Sequence, residues 1–190
     1  MAGRPRSFNA EHALERIIET FWDQGFVGTS IDSLQEAIGI QRGSFYAAFG
    51  DKENAWRLAL ERYTQTITAA ALARLDGPGE AAERLGGFIR FVAEFLAANL
   101  GRGCMFLCAA SQPLTVTPAT QAHLARLEHK LFTAIRACAP EPAGSYVIAV
   151  LLGLNAMSRA GMPAETIRAA AAAAAGAPAL LGGSGSPALN

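Results

Sequence analysis

The sequence predicts an all-α fold, and three observations support this prediction. Apolar residues recur every three to four positions along most of the 190-residue chain, whereas the alternation typical of half-buried strands is absent. Hydrophobic residues make up 51% of the chain, which is enough for a substantial core. Breaks rich in glycine and proline, such as residues 76–79 and 101–103, divide the helical pattern into about nine segments.

The central motif lies in residues 29–52, which predict two short helices, a tight turn between them and the start of a third helix. Ser30 is a good N-cap because its hydroxyl can accept a backbone N–H. Gly39 can adopt the left-handed conformation that ends a helix. The apolar spacing turns Phe45 and Phe49 inward in the second helix. Two short amphipathic helices joined at a glycine are typical of a helix-turn-helix.

The other helices are predicted from apolar stripes that lie between breaks. A first helix over residues 9–24 ends at Gly25 and braces the motif. Asp51 caps a long helix that extends to about residue 75. The remaining predicted helices cover residues 80–100, 104–112, 117–139, 145–160 and 163–175.

We place a domain boundary inside the long helix. Residues 1–62 are predicted to form a three-helix domain that contains the helix-turn-helix, and residues 63–181 a second helical domain. Residues 182–190, which are rich in glycine and serine, are predicted to be a flexible tail.

The motif resembles that of the TetR family of transcriptional regulators. The residues that carry the resemblance are Ile38-Gly39-Ile40, Gln41-Arg42-Gly43-Ser44-Phe45-Tyr46, Phe49 and Lys52. Two departures from the family pattern are Gln41, where Ser or Thr is usual, and Ala47-Ala48, where relatives often carry larger side chains. The resemblance implies an N-terminal DNA reader and a C-terminal effector domain. It also implies a homodimer in which the last two helices of each subunit form a four-helix bundle.

Double-stranded operator DNA is the partner that this resemblance implies. Gln41 and Arg42 are the base-edge candidates, because Gln pairs bidentately with adenine and Arg with guanine. The other predicted DNA-contacting residues are Arg4, Arg6, Thr29, Ser30, Gly43, Ser44, Tyr46 and Lys52. Residues 1–62 carry seven basic and nine acidic side chains, a net charge of −2. DNA attraction must therefore be local rather than a field of the whole domain.

Cys104 lies in a segment, Gly103-Cys104-Met105-Phe106-Leu107, that resembles a Gly–Cys–apolar segment found in a subset of the family. In some of those relatives the cysteine senses oxidants or electrophiles. Two interpretations are open: a reactive thiol, for which Arg102 is the only obvious group that could lower the pKa, or a small apolar filler. A metal site built from Cys104, Cys108 and His123 or His129 lacks the spacing of a ligand motif.

An effector pocket and a dimer interface are predicted in the second domain. The predicted pocket residues are Phe88, Phe91, Phe95, Cys104, Met105, Phe106, Cys108, Phe132 and Asn155. Asn155 is polar within an apolar helix and needs a partner, either a ligand or its own copy across the dimer. The predicted interface residues, on two helices more apolar than a single core face requires, are Val147, Leu151, Leu154, Ala169, Ala172 and Ala173.

The sequence shows no catalytic constellation and no phosphate-binding loop, so we expect neither an enzyme nor a cofactor. The most apolar run, residues 146–157, is shorter than the ~20 residues of a spanning helix, and no apolar signal core follows Met1. We therefore expect a cytoplasmic, homodimeric repressor that is released from DNA by a small hydrophobic effector or by modification of a cysteine. The alternatives are an activator, a ligand-free nucleoid protein, and an enzyme or binding protein that contains a helix-turn-helix.

Overall fold

The computed structural model describes residues 9–111, 116–139 and 141–181. Over these ranges the chain forms helices and no strand, which confirms the predicted all-α fold. The helices are α1 (Ala10–Gly28), α2 (Ile31–Ile38), α3 (Arg42–Phe49), α4 (Lys52–Tyr63, a π-helical turn at Thr64–Thr68, then Ala69–Leu72), α5 (Ala81–Ala98), α6 (Met105–Ala110), α7 (Pro118–Cys138), α8 (Ala143–Arg159) and α9 (Ala164–Leu181).

Helices α1 to α3, which we call the reader, form as the local sequence predicts. The Ser30 and Ser33 side chains each accept the backbone N–H of the other residue at 3.0 Å, which closes a capping box at the start of α2. Gly39 ends α2 with a φ of 69°. Phe45 is fully buried beneath α3. Gly25, which also has a φ of 69°, interrupts α1, but a further helical turn follows it, so α1 extends beyond the predicted end.

Helix α4 connects the reader to the rest of the chain. The Asp51 carboxylate accepts the Asn54 N–H at 2.7 Å, as expected for an N-cap, and α4 packs along α1. The π-helical turn at Thr64–Thr68 was not predicted, and the helix ends at Leu72 rather than near residue 75. Three threonines and an isoleucine occupy that turn, and β-branched side chains crowd a regular α-helix.

Helices α5 to α9, which we call the body, enclose a second part of the core. Phe88 and Ile89 of α5 are buried there, and α9 lies along α5. Gly86 permits this approach, since a Cβ at that position would come within 2.9 Å of the Ala175 carbonyl oxygen. The buried Ser158 hydroxyl donates to the Leu96 carbonyl at 2.9 Å and joins α8 to α5.

The prediction that Val147, Leu151 and Leu154 of α8 form the dimer interface is wrong. Val147, Leu151 and Leu154 are only 0–2% exposed, because they face the core of their own subunit and have almost no surface left to bury against a partner. The side of α8 turned to solvent instead carries Leu152, which is 39% exposed. The predicted alanines of α9 do lie at the surface: Ala169, Ala172 and Ala173 are exposed.

The predicted domain boundary falls inside α4, which continues through residue 63 without a break. The division into two domains therefore stays a prediction, and the predicted tail at 182–190 lies outside the described residues. None of the helices described is long and apolar enough to cross a membrane.

Candidate functional site

The exposed face of α3 presents Arg42. Its Nη1 lies 3.5 Å from Asp32 Oδ1, and its Nη2 donates to the Tyr46 hydroxyl at 3.4 Å. The hydrogen bond to Tyr46 raises the pKa of Arg42 above its usual value, so the guanidinium is always charged. Its side chain is still 63% exposed. Gln41 precedes it as the N-cap residue of α3 and makes no side-chain cap bond, so its amide is free to meet another group.

The other predicted DNA-contacting residues of the reader differ in their exposure to solvent. Ser44 and Gly43 are exposed on α3, beside Arg42. Thr29, which we predicted to contact DNA, is 2% exposed, and its hydroxyl donates to the Gly25 carbonyl at 2.7 Å, so it closes the α1–α2 connection instead. Ser30 is exposed while its hydroxyl caps α2.

Lys52 is partly buried at the start of α4. Its ammonium lies 4.5 Å from the centre of the Phe26 ring, and burial lowers its pKa. A cation held over an aromatic face near a helix N-terminus can still reach outward to an anion. The other two predicted contacts, Arg4 and Arg6, lie outside the described residues.

A junction between α1 and the body is the main feature that the sequence did not predict. The Trp22 indole Nε1 donates to the Gly103 carbonyl oxygen at 2.9 Å. The Arg102 guanidinium stands over the Trp22 ring, 4.0 Å from its centre. It pairs with Glu19 at 2.7 Å, and its Nε lies 2.7 Å from Asp23, although not in line for a hydrogen bond. Two acids of α1 therefore join the reader to the body.

Gly103 lies in the loop between α5 and α6, residues 99–104, which we call the junction loop. No other residue fits at this position. Its φ is 69°, and a Cβ would lie 2.7 Å from Asn155 Oδ1. That oxygen accepts the Cys104 N–H at 2.7 Å, and the Asn155 amide donates to Cys108 Sγ at 3.8 Å. Asn155 is 5% exposed inside the subunit, so its partner is neither a ligand nor its own copy across a dimer.

Cys104 is not placed like an activated thiol. Burial raises the pKa of Cys104, and the Tyr63 hydroxyl donates to its sulfur at 3.5 Å. Arg102, the expected helper, is committed to Glu19 and Asp23. Because the thiolate is the nucleophile, a raised pKa lowers its reactivity near neutral pH.

An apolar cavity of about 40 Å³ lies between α4 and the body. Five of the nine predicted pocket residues line it: Phe88, Phe91, Phe95, Cys104 and Phe106. The other four do not, because Met105 and Cys108 line a different cavity, Asn155 is bonded to the junction loop, and Phe132 packs against the core elsewhere. As it stands, the space would hold only a few water molecules.

A larger groove of about 350 Å³, which we call the polar groove because its lining includes several polar side chains, adjoins the apolar cavity, and the two share Thr68, Phe106 and Leu131. The polar lining of the groove includes His123 and Lys130 of α7. His123 Nε2 is buried and has no hydrogen-bond partner among the residues that the structure describes, and desolvation lowers the pKa of this imidazole. The π-helical turn borders both spaces, which is where such turns are often found.

The junction and the π-helical turn were not predicted from the sequence, for different physical reasons. Trp22 and Arg102 meet across about 80 positions of the chain, and nothing local signals that pairing. The π-helical turn did have a signal, because Thr64, Thr66, Ile67 and Thr68 are all β-branched. Among the described residues, no group of three or more His, Cys, Asp or Glu side chains could hold a metal ion.

A recognition helix that presents charged and amide side chains, carried on a helical body with an internal cavity, defines a helix-turn-helix DNA-binding regulator. The family model described as bacterial regulatory proteins, tetR family, matches residues 13–54. The HTH-type transcriptional repressor BdcR of Escherichia coli (strain K12) is 31% identical over 180 residues, which cover 90% of each chain. The chain belongs to the TetR family of transcriptional regulators, as the motif predicted.

Two further similar proteins match this chain over different shares of its length. The uncharacterized HTH-type transcriptional regulator YezE of Bacillus subtilis (strain 168) is 35% identical over 83 residues, 44% of this chain and 43% of YezE. The present chain thus matches less than half the length of YezE. A cysteine mutant of the TetR family regulator CifR, solved in complex with 26-base-pair double-strand operator DNA, aligns with a TM-score of 0.75. It is 29% identical, and the alignment covers 90% of this chain and 98% of CifR.

The geometry at Cys104 predicts slow alkylation. With its pKa raised by burial, the thiol should react with iodoacetamide at pH 7 more slowly than free cysteine, and its rate should still be rising at a pH where that of free cysteine has levelled off. Mass spectrometry of tryptic peptides over time measures each thiol separately. Labelling of Cys104 at pH 7 as fast as that of free cysteine would contradict this placement.

Proposed function

We propose that this protein is a homodimeric transcriptional repressor that binds operator DNA through α3 and is released by an amphipathic small molecule. The observation that carries the proposal is the exposed face of α3, where Arg42 is oriented by Asp32 and Tyr46 yet remains 63% exposed. The repressor BdcR and the DNA-bound CifR structure support the same assignment.

DNA reading by α3 follows from the chemistry of its N-terminal turn. Arg42 can donate two hydrogen bonds to a guanine edge, and Gln41 can pair with adenine. Ser44 and Tyr46 are positioned for phosphate oxygens, and the free N–H groups at the start of α4 add a site near Lys52. These local donors compensate for the absence of a net positive charge on residues 1–62.

Replacing Arg42 with Ala tests the base-reading role. Loss of a bidentate contact should weaken binding to the preferred site by about 1–3 kcal/mol and relax the preference at one base position. Fluorescence anisotropy with the preferred duplex and its single-base variants measures both effects. Arg62→Ala is the matched control, since Arg62 is exposed on α4 away from α3 and should leave the preference intact. An unchanged ratio of affinities across the variants in Arg42→Ala would show that Arg42 reads no base.

Assembly into a dimer is supported by the exposed sides of α8 and α9. On α8 the exposed residues Ala149, Leu152 and Ala156 recur at helical spacing, and a Cβ added at Gly153, beside Leu152, would meet no other part of the described structure within 4 Å. On the adjacent α9 the exposed alanines form a second flat stripe. Two such helices can pack closely against their copies around a twofold axis.

Leu152→Asp tests this interface. A carboxylate buried between two subunits without a partner is strongly unfavourable, so the variant should be a monomer and lose tight operator binding. Leu100→Asp is the matched control, because Leu100 is 41% exposed and lies in the loop that follows α5, not on α8 or α9. Analytical ultracentrifugation at equal concentrations compares the two. A dimeric Leu152→Asp protein, or a monomeric wild type that still binds a palindrome tightly, would exclude the proposed interface.

Release by an effector is supported by the apolar cavity and the polar groove that share a wall. An amphipathic ligand would place its apolar part among Phe88, Phe91 and Phe95, and its polar part beside His123 and Lys130. Because the closed cavity is only about 40 Å³, such a ligand must widen it and move α4 relative to the body. Release from DNA then requires that the ligand bind this widened state more tightly. The burial of Cys104 favours this route over modification of the thiol.

Filling the cavity should block this site. Ala71, which is 7% exposed, lines the apolar cavity, whereas Ala70 on the same helix is exposed and lines none of the cavities described. Ala71→Leu should lower the affinity for the amphipathic dye 1-anilinonaphthalene-8-sulfonate by about tenfold or more, because the added side chain occupies the space. Ala70→Leu should bind the dye as wild type does. Dye titrations that do not distinguish the two variants would place the ligand elsewhere.

A further inference from the structure

A second cavity lies at the junction between the reader and the body. It is lined by residues 21–27 of α1, by Trp56 of α4, and by Gly101, Arg102, Met105, Cys108, Ala109 and Arg159. Its volume is about 180 Å³, and it shares no lining residue with the apolar cavity. A cavity of roughly 150 Å³ is enough to bind benzene, so this space admits one aromatic ring.

Trp56 and Arg159 in the wall of this cavity have polar groups without a partner in the part of the chain that the structure describes. Trp56 is 3% exposed, and its indole Nε1 is buried. Buried donors are rarely left unpaired, so this N–H is available to an acceptor that enters the cavity. Arg159 is exposed at the end of α8, and no carboxylate of the described residues pairs with it.

The acidic groups near the cavity are already engaged. Asp23 borders the cavity and lies 2.7 Å from Arg102, and Glu19 pairs with the same guanidinium from outside the lining. Arg159 is therefore the cation that remains for an incoming anion. Aromatic and sulfur-containing side chains, including Trp22, Phe21 and Met105, supply the apolar part of the wall.

We propose that this junction cavity binds a small aromatic carboxylate. The ring occupies the apolar part of the cavity, the carboxylate pairs with the Arg159 guanidinium, and an acceptor oxygen of the ligand meets the Trp56 indole N–H. This site is separate from the apolar cavity between α4 and the body. Because its walls come from both α1 and the body, a ligand there contacts both sides of the connection between reader and body.

The two tryptophans of the chain, Trp22 and Trp56, both line this cavity, so intrinsic fluorescence reports on it directly. Titration of the protein alone with benzoate should give a saturable change in tryptophan emission. Neutral benzamide, which has nearly the same shape, should bind about tenfold more weakly because it cannot form the charge-assisted pair. This measurement needs no DNA, so its result is independent of whether the protein is a repressor.

Variants locate the ligand. Arg159→Gln keeps much of the side-chain stem that packs beside Gly103 and should weaken benzoate binding about tenfold. Arg168→Gln is the matched control, since Arg168 pairs with Glu94 outside the cavity and should leave binding unchanged. Ala71→Leu should also leave it unchanged. Circular dichroism melting checks that each variant is folded.

Three outcomes would overturn the proposal. The absence of a saturable response to benzoate would mean that the cavity is not a site for this ligand class. Equal affinity for benzamide would remove the role of the carboxylate. Unchanged benzoate binding in a folded Arg159→Gln protein would place the ligand at another site.

Discussion

The hydrogen bond from the Trp22 indole to the Gly103 carbonyl is the contact on which the position of the reader depends. Helix α4 provides a covalent connection between reader and body, but it does not by itself fix their angle. Trp22 does so from α1, with Arg102 stacked on its ring and paired with Glu19 and Asp23. The bond requires a glycine at 103, because a side chain there would collide with Asn155.

The same tryptophan also connects the reader to the apolar cavity. Phe95, which lines that cavity, stacks on Trp22 with 5.7 Å between ring centres and 7° between ring planes. The Tyr63 ring contacts the Trp22 ring edge-on, with 5.4 Å between ring centres, and the Tyr63 hydroxyl donates a hydrogen bond to the Cys104 sulfur. A ligand that moves Phe95 therefore acts directly on α1, in addition to any movement of α4. Energetic coupling between two sites can be carried by packed side chains that have two arrangements, and the cluster of Trp22, Tyr63 and Phe95 is the candidate in this protein.

The reader could be predicted from sequence because the interactions that determine its helices are local in the chain. The Ser30 cap, the Gly39 turn and the inward spacing of Phe45 and Phe49 all depend on residues within one helical turn or two. The body was predicted less well. A helix as apolar as α8 gives no signal of which side faces its own core, so Val147, Leu151 and Leu154 were assigned to the wrong surface. The junction depends on residues about 80 positions apart, and a single sequence does not reveal such pairs.

The central claim is that two copies of α3, held at a fixed separation, read DNA sequence. Selection of duplexes from a random-sequence pool by the wild-type protein, followed by sequencing, tests it most directly. The account predicts enrichment of an inverted repeat whose half-site centres are about 10–10.5 base pairs apart, or a multiple of that distance, because each α3 must enter the major groove on the same side of the duplex. Recovery of duplexes with no common sequence, or of a single site without twofold symmetry, would contradict it.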